Sequence, residues 1–118
     1  MARTDSSDPS ALWLRGTLQL SVAAVLAEGD RHGYALVQRL AEHGLGTVRG
    51  GALYPVLGRM ETDGLVASRW EPGEGGPGRK VYRLTEAGRA GLRDEIAHWQ
   101  EFSAAMDRLM SHTQQELR

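Results

Sequence analysis

The chain contains no cysteine, which excludes disulfide bonds, thiolate catalysis and cysteine-based zinc sites. It also has no apolar run long enough to span a membrane, and residues 1–10 are polar rather than signal-like. We therefore expect a cytoplasmic protein without a membrane partner. The chain also lacks a large excess of either positive or negative charge. The formal net charge is -1 and the pI is about 6.4, so overall charge does not indicate a nucleic-acid partner.

Residue patterns typical of enzymes are equally scarce. The four histidines lack the spacing of metal ligands, and no local set of Ser, His and Asp suggests nucleophilic catalysis. Residues 73–80 superficially resemble a phosphate-binding P-loop, but Arg79 and Lys80 stand where Lys and Ser/Thr are needed, and a strand should follow instead of a helix. We expect neither an enzyme nor a bound metal or cofactor.

The 118 residues suffice for one domain with a modest core. Charge is unevenly distributed along it. Residues 1–85 carry ten basic and nine acidic side chains, whereas residues 86–118 carry four and six. Between 66 and 85, Arg69, Arg79, Lys80 and Arg83 outnumber two glutamates. A locally basic segment of this kind can still bind phosphate.

Residues 50–64 form the segment around which the domain is organised, a predicted helix with two different faces. Leu53, Val56, Leu57 and Met60 recur at the i, i+3, i+4, i+7 spacing of a buried stripe. The opposite face is made of small residues, which permit close approach to a groove, as in a DNA recognition helix. Pro55 should lie in the first turn, so the helix should start at residue 51 or 52 and end at Gly64. An ordinary surface helix is the alternative.

The segments before this helix predict two further helices, and the segments after it predict two strands. Residues 1–9 should be disordered, and a first helix should run from its cap at Ser10 to residue 28. After a turn at 29–33, a second helix should cover residues 34–43. Beyond Gly64, residues 65–70 and 79–84 alternate as strands, and the glycine-rich residues 71–78 should form a protruding, unpacked tip. We predict a mainly α fold with a small β-hairpin, a winged helix-turn-helix over residues 10–85.

Residues 86–118 predict a long C-terminal helix, capped by Thr85 and frayed at its end. Its apolar residues recur every three or four positions to about residue 110, well past a three-helix core. The stripe therefore needs another partner, and a second copy of the chain is the simplest one. Folding back over Leu12, Trp13 and Leu14, which are more apolar than one stripe requires, is the alternative. The residues predicted at the dimer interface are Leu12, Leu92, Ile96, Trp99, Phe102, Met106 and Leu109.

Four sequence runs resemble the PadR-like bacterial transcriptional regulators. They are HGYAL at 32–36, GALYPVL at 51–57, DGLV at 63–66 and GPGRKVYRLTEAG at 76–88. The resemblance covers about residues 12–110. It implies a homodimeric winged-helix repressor whose third helix enters the major groove, whose wing lies along the adjacent backbone, and whose last helix forms the dimer.

The short tail resembles the branch in which some members bind planar aromatic effectors at the dimer centre. In those members a tryptophan on the last helix stacks on the ligand, and Trp99 matches it. We therefore name Leu12, Trp13, Trp99, Phe102 and Met106 as candidate effector-binding residues. A tryptophan at the core of the interface is the alternative for Trp99.

Nine residues are candidates for contact with a double-stranded DNA operator, namely Tyr34, Arg49, Gly51, Ala52, Tyr54, Pro55, Arg59, Arg79 and Lys80. Each charged or aromatic one has an ordinary structural alternative: Tyr54 could pack on the wing, Tyr34 in the core, and Arg59 could pair with Glu61 or Asp63. Arg79 and Lys80 would otherwise be solvated charges. The competing function is a winged-helix module whose 51–62 face binds a protein.

Overall fold

A computed structural model describes residues 9–73 and 75–118. The elements in chain order are α1 (Pro9–Gly16), α2 (Leu18–Glu28), β1 (Arg31–His32), α3 (Gly33–Glu42), α4 (Gly50–Thr62), β2 (Val66–Gly73), β3 (Gly76–Leu84) and α5 (Glu86–Glu116). The predicted class, mainly α with a small β component and a long last helix, is confirmed. The predicted disordered arm lies outside the described residues, apart from Pro9, where α1 begins.

The single first helix predicted over residues 10–28 is wrong, because the chain forms two helices that meet at Thr17. The Thr17 hydroxyl donates to the Trp13 carbonyl at 2.9 Å, and its backbone N–H bonds to Leu14, one residue closer than in an α-helix. Such back-bonding by a β-branched residue bends helices. Ser10 also lies inside α1 instead of capping it, because Pro9 takes the first helical position, where its missing N–H costs nothing.

The core lies between α2, α3 and α4, closed on one side by the sheet. Val22, Leu36, Leu40, Leu53 and Leu57 are fully buried at its centre. Leu14 from α1 and Leu92 from α5 join the same cluster. Leu92, which we predicted at the dimer interface, therefore serves the core of its own chain, since only 7% of it is exposed.

The sheet has three antiparallel strands in the order β1-β3-β2, one more than the predicted hairpin. Residues assigned to a turn supply the extra strand, with Arg31 opposite Tyr82 and His32 opposite Val81. Two residues are too few to show the alternation that identifies a strand in a sequence. This short strand joins the start of α3 to the wing, which we define as β2, β3 and their connecting turn.

The wing is longer and more regular than predicted. Pairing continues through the glycine-rich segment to Gly73 opposite Gly76, with an irregularity after Glu71. Glycine permits this pairing: a Cβ on Gly78 would lie 2.8 Å from the Glu71 carbonyl oxygen, and Gly75 turns the chain at φ +66°. The predicted strand ends at residues 70 and 79 are thus wrong, because the strands extend to Gly73 and from Gly76. The described residues of this segment still form a hairpin tip that is largely exposed, as predicted.

The last helix, α5, has 31 residues and is about 46 Å long at 1.5 Å per residue. Thr85 caps it as predicted, accepting from the Gly88 N–H at 3.0 Å and donating to the Gly64 carbonyl at 2.6 Å. The helix continues to Glu116, so the segment predicted to fray is helical nearly to its end. Among the described residues, no helix is both long and apolar enough to cross a membrane.

Gly88 fixes the contact between α5 and the end of α4. A Cβ there would overlap the Leu65 carbonyl oxygen and crowd a methyl of Leu84. We expect Gly88→Ala to lower the free energy of unfolding by about 1–3 kcal/mol, as overpacking does. Gly91→Ala on the same helix meets open space and should raise it by about 0.5–1 kcal/mol. Urea unfolding of both variants checks this, and equal effects would contradict the packing described.

Glu28, at the end of α2, ties that helix to α3. It accepts from Arg39 at 2.8 Å and lies 3.0 Å from His43, and these hydrogen bonds, Arg39 first, lower its pKa to about 2. Its stabilising contribution is therefore complete above its ordinary pKa of 4.5 and is lost as pH falls toward 2. We expect the melting temperature of Glu28→Gln to lie below wild type at pH 7, with the gap closing in acid. The exposed Glu95→Gln should show no such gap.

Candidate nucleic-acid interface

Helix α4 has the two faces that the sequence predicts. Leu53, Val56, Leu57 and Met60 are buried, while the opposite face, including Pro55, Gly58 and Arg59, is exposed. The helix begins at Gly50, slightly earlier than predicted, so Pro55 lies in its second turn and offers no N–H to the Gly51 carbonyl. The exposed face is free of bulky apolar side chains and can approach a flat or grooved partner closely.

The N-terminus of α4 is open for an anion. Arg49 occupies the cap position, but no side chain among the described residues caps the helix there. The N–H groups of Ala52 and Leu53 both donate to the Arg49 carbonyl at 3.0 Å, which leaves the first N–H groups without an intrahelical acceptor. Arg49, Gly51 and Ala52 are all exposed at this end, so three predicted DNA contacts lie together.

Four further candidates meet between α4 and the wing. A cavity of about 450 Å³, here called the wing–helix pocket, brings together Tyr34, Tyr54, Arg79 and Lys80. Its other lining residues are His32, Gly33, Trp70 and Tyr82. Tyr54 is 52% exposed and Tyr34 67%, so Tyr34 is not a core residue. Tyr54 lies on Gly33, where a Cβ would collide with its hydroxyl, so its ring rests on α3.

Lys80 is held by α4. Its Nζ lies 3.5 Å from Glu61 Oε1 and 5.6 Å from the centre of the Tyr82 ring. The Ser68 hydroxyl and then Lys80 lower the pKa of Glu61, while burial raises the pKa of Tyr82. These contacts fix the wing against α4. They also leave Lys80 less available for phosphate than Arg79.

Arg79 is held only loosely. Its Nη1 lies 3.1 Å from Nε2 of His32, whose Nδ1 accepts from the Ala35 N–H at 3.3 Å as the cap of α3. A neutral imidazole has one acceptor nitrogen, so it cannot accept from both Arg79 and Ala35. Arg79 is exposed and can be withdrawn from His32 without loss of the helix cap.

Arg59 does not form the pairs considered from the sequence. Glu61 is occupied by Ser68 and Lys80, and within the described ranges Arg59 forms no salt bridge with it or with Asp63. Arg59 is exposed on the outer face of α4. Its cation is therefore available to a partner that approaches that face.

A second surface lies along α1 and α5. An apolar groove of about 730 Å³ is lined by all five predicted effector-binding residues, and Trp99 and Phe102 lie there with ring centres 6.2 Å apart. The groove lining comprises Leu12, Trp13, Leu14, Gly16, Thr17, Gly44, Leu45, Trp99, Phe102, Ser103, Met106 and Asp107. Of the three residues in the alternative of folding back, Leu14 is buried in the core, but Leu12 and Trp13 are 64% and 70% exposed, so α5 does not fold back over them.

The apolar stripe of α5 stays largely uncovered beyond the core. Its exposed members are Ile96, Trp99, Phe102, Met106, Leu109 and Met110, between 39% and 59% exposed. Ile96 and Trp99 also line a smaller cavity of about 410 Å³ that ends at Glu28 and His43. Apart from Leu92, every predicted interface residue is therefore accessible to a second chain.

Sequence reasoning missed Trp70, His32 and Glu61 as parts of the site. The alternation of residues 65–70 identifies Trp70 only as a strand residue, although it is 71% exposed beside Tyr34 and Tyr54. The pairings His32–Arg79 and Glu61–Lys80 join residues far apart in the chain, and the sequence carries no local signal for them. In the part of the chain described, no group of His, Asp and Glu could hold a metal ion.

Known proteins are similar to this chain in sequence and in fold. Residues 22–94 match the family described as the Transcriptional regulator PadR-like family. A transcriptional regulator of Mycobacterium tuberculosis is 37% identical over 99 residues, covering 84% of this chain and 91% of that protein. The crystal structure of a PadR family regulator from Eggerthella lenta is 40% identical, with a TM-score of 0.74, and the match covers 85% of this chain and 88% of that one. A regulator of Thermoplasma acidophilum, 29% identical, gives a TM-score of 0.75 over 84% and 95% of the two chains.

Proposed function

The chain belongs to the PadR-like family of transcriptional regulators, which bind DNA and are not enzymes, and from this membership we propose a homodimeric repressor that reads a palindromic operator. In this proposal α4 enters the major groove and the wing follows the neighbouring backbone. In this proposal the protein acts in the cytoplasm, on the DNA that it regulates. The wing–helix pocket is the observation that carries the proposal, because it joins a recognition helix to exposed cationic and phenolic donors.

The DNA surface combines two kinds of contact. Arg79, Tyr54, Tyr34 and the open N-terminus of α4 supply donors for phosphate oxygens, which fix the position of the protein without reading sequence. Arg59 and the small residues of the outer face lie where base edges would be read. Gly58 brings α4 close to the groove but has no group with which to distinguish bases.

The dimer rests on the uncovered stripe of α5 together with Leu12 and Trp13. Six large apolar side chains are exposed along one face of α5. Together they form a larger apolar surface than a soluble monomer normally exposes to water. A two-fold axis that relates the α5 helices of two chains also relates their α4 helices. The two α4 helices must lie about 34 Å apart to enter successive major grooves.

A salt titration of DNA binding tests this function. The full chain is mixed with the duplex upstream of its own gene in a gel shift at rising salt. Steeply weakening binding is expected, because each phosphate contact releases a counterion. Absence of a shift at low salt, or binding indifferent to salt, would contradict the DNA role and favour a surface on α4 for another protein.

The groove between α1 and α5 supports an effector role. It is apolar, large enough for a planar ligand and lined by Trp99 and Phe102 at a tilt of 39°. A ligand held there touches the same residues as the second chain. It would favour one angle between the two chains over another and so change the spacing of the recognition helices. We propose release of the operator by a planar aromatic or amphipathic molecule.

Tryptophan fluorescence tests the effector site. With Trp13→Phe and Trp70→Phe, Trp99 is the sole tryptophan, and a panel of planar aromatic dyes, acridines among them, should quench its emission, because Trp99 would stack on the ligand. In the otherwise wild-type chain, Trp99→Leu should weaken dye binding, measured from the anisotropy of the dyes themselves. Failure of the whole panel to quench, or unchanged dye affinity in Trp99→Leu, would assign Trp99 to the apolar interface instead.

A further inference from the structure

Trp70 stands at the open end of an otherwise covered sheet face. Cross-strand pairing places Ser68 opposite Tyr82 and Trp70 opposite Lys80, so these four side chains share one face of the wing. Tyr82 is buried against the core, whereas Trp70, one step further from it, is 71% exposed. A large exposed aromatic beside two others, Tyr34 and Tyr54, indicates a surface that takes a partner.

The polar groups around Trp70 define what that partner must offer. The Arg79 guanidinium and the indole N–H are donors only, and the phenols of Tyr34 and Tyr54 can also donate. Among the described residues, the nearby carboxylates have partners: Glu61 accepts from Ser68 and forms a salt bridge with Lys80, and Glu71 accepts from Arg69 at 3.0 Å. The pocket therefore suits a ligand rich in acceptors, with an apolar surface for the aromatic rings.

One nucleotide unit of a DNA backbone has both properties. Its phosphate oxygens only accept hydrogen bonds, and its deoxyribose presents C–H groups that pack on a ring. The pocket is also continuous with the outer face of α4 through Tyr54, so a backbone strand bordering the groove passes beside it. A basic pocket with aromatic walls next to a recognition helix has the charge and position for this contact.

We propose that Trp70 is a DNA-contacting residue that packs its indole on a deoxyribose while Arg79 and the two phenols hold the adjacent phosphate. This inference rests on the proposed function. It assigns the wing an apolar share of the affinity, which does not depend on counterion release. Arg79 supplies the ionic share at the same nucleotide. The two residues should therefore respond differently to salt.

Fluorescence anisotropy at several salt concentrations separates the two shares. The probe is a labelled duplex that the wild-type chain has enriched from a random-sequence library. We expect Trp70→Ala to weaken binding about tenfold or more at every salt concentration, with an unchanged slope of log Kd against log salt. Arg79→Ala should flatten that slope by about 0.9 for each phosphate that Arg79 neutralises. Trp70→Phe keeps a ring for the sugar and should lose less affinity than Trp70→Ala.

Two results would overturn the inference. One is wild-type affinity in Trp70→Ala, and the other is a slope flattened as much as in Arg79→Ala, which would show that Trp70 acts only through the phosphate. Trp70 is exposed, so its removal should leave the melting temperature unchanged, and a melting curve of each variant checks this. A wild-type chain that binds no duplex would refute the proposed function itself, a result distinct from an unaffected Trp70→Ala in a chain that binds.

Discussion

Replacing Phe102 and Leu109 by glutamate should convert the protein into a monomer and weaken operator binding by about 100-fold or more. Both side chains lie on the uncovered stripe of α5, 59% and 52% exposed, so the change leaves the core intact. In the proposed dimer two symmetry copies of each carboxylate would enter an apolar interface, where an unpaired charge is strongly disfavoured. A monomer forgoes the gain in affinity that comes from binding two linked half-sites, which is on the order of 10²–10⁴.

Light scattering measures the mass of the variant, and anisotropy measures its binding to a two-half-site duplex. The matched control is Ala97→Glu with Ala104→Glu, which places the same two charges on the opposite, exposed face of α5. The control should stay dimeric and bind as wild type does. A wild-type chain that is monomeric at micromolar concentration, or a Phe102→Glu, Leu109→Glu variant that remains dimeric, would contradict the interface.

Arg79→Ala should lower operator affinity by about 10²–10⁴. A hydrogen bond to a charged group contributes about 1.5–3 kcal/mol, and a dimer makes two such bonds, together about 3–6 kcal/mol. Arg79 is placed for this role because it lines the wing–helix pocket and its neighbour His32 cannot both accept from it and cap α3. Binding is measured by anisotropy at one fixed, stated salt concentration.

The control for Arg79 is Arg83→Ala on the same strand. Arg83 is an exposed cation that does not line the pocket, and its removal changes the net charge equally. We expect a decrease in affinity smaller than tenfold for Arg83→Ala, from the general field alone. Equal decreases in the two variants would mean that the wing acts by charge without a defined contact, and the pocket would have no role in DNA binding.

Helix α4 could be predicted from the sequence because its signal is local. Leu53, Val56, Leu57 and Met60 repeat at helical spacing, and the structure buries all four. The long last helix was predictable for the same reason. The break at Thr17 was missed because both sides of it have helical patterns, and the bond from the Thr17 hydroxyl back to Trp13 has no periodic signal in the sequence.

The arrangement of the site was harder to predict, because it depends on pairs that are distant in the chain. The packing of the wing against α3 and α4 determines three features of the site. Tyr54 contacts Gly33, Lys80 forms a salt bridge with Glu61, and Trp70 is left exposed. No periodicity or motif spacing encodes them. The five candidate effector residues do line one groove, but their grouping came from the family resemblance and not from their spacing.

Two copies of α4 should read DNA one helical turn apart, and the whole proposed function depends on this arrangement. Selection from a random-sequence duplex library with the full-length chain, followed by sequencing of the retained DNA, tests it most directly. We expect enrichment of an inverted repeat whose half-site centres are about 10 base pairs apart. Retained DNA that matches the input library, or a single half-site without its inverted partner, would contradict it.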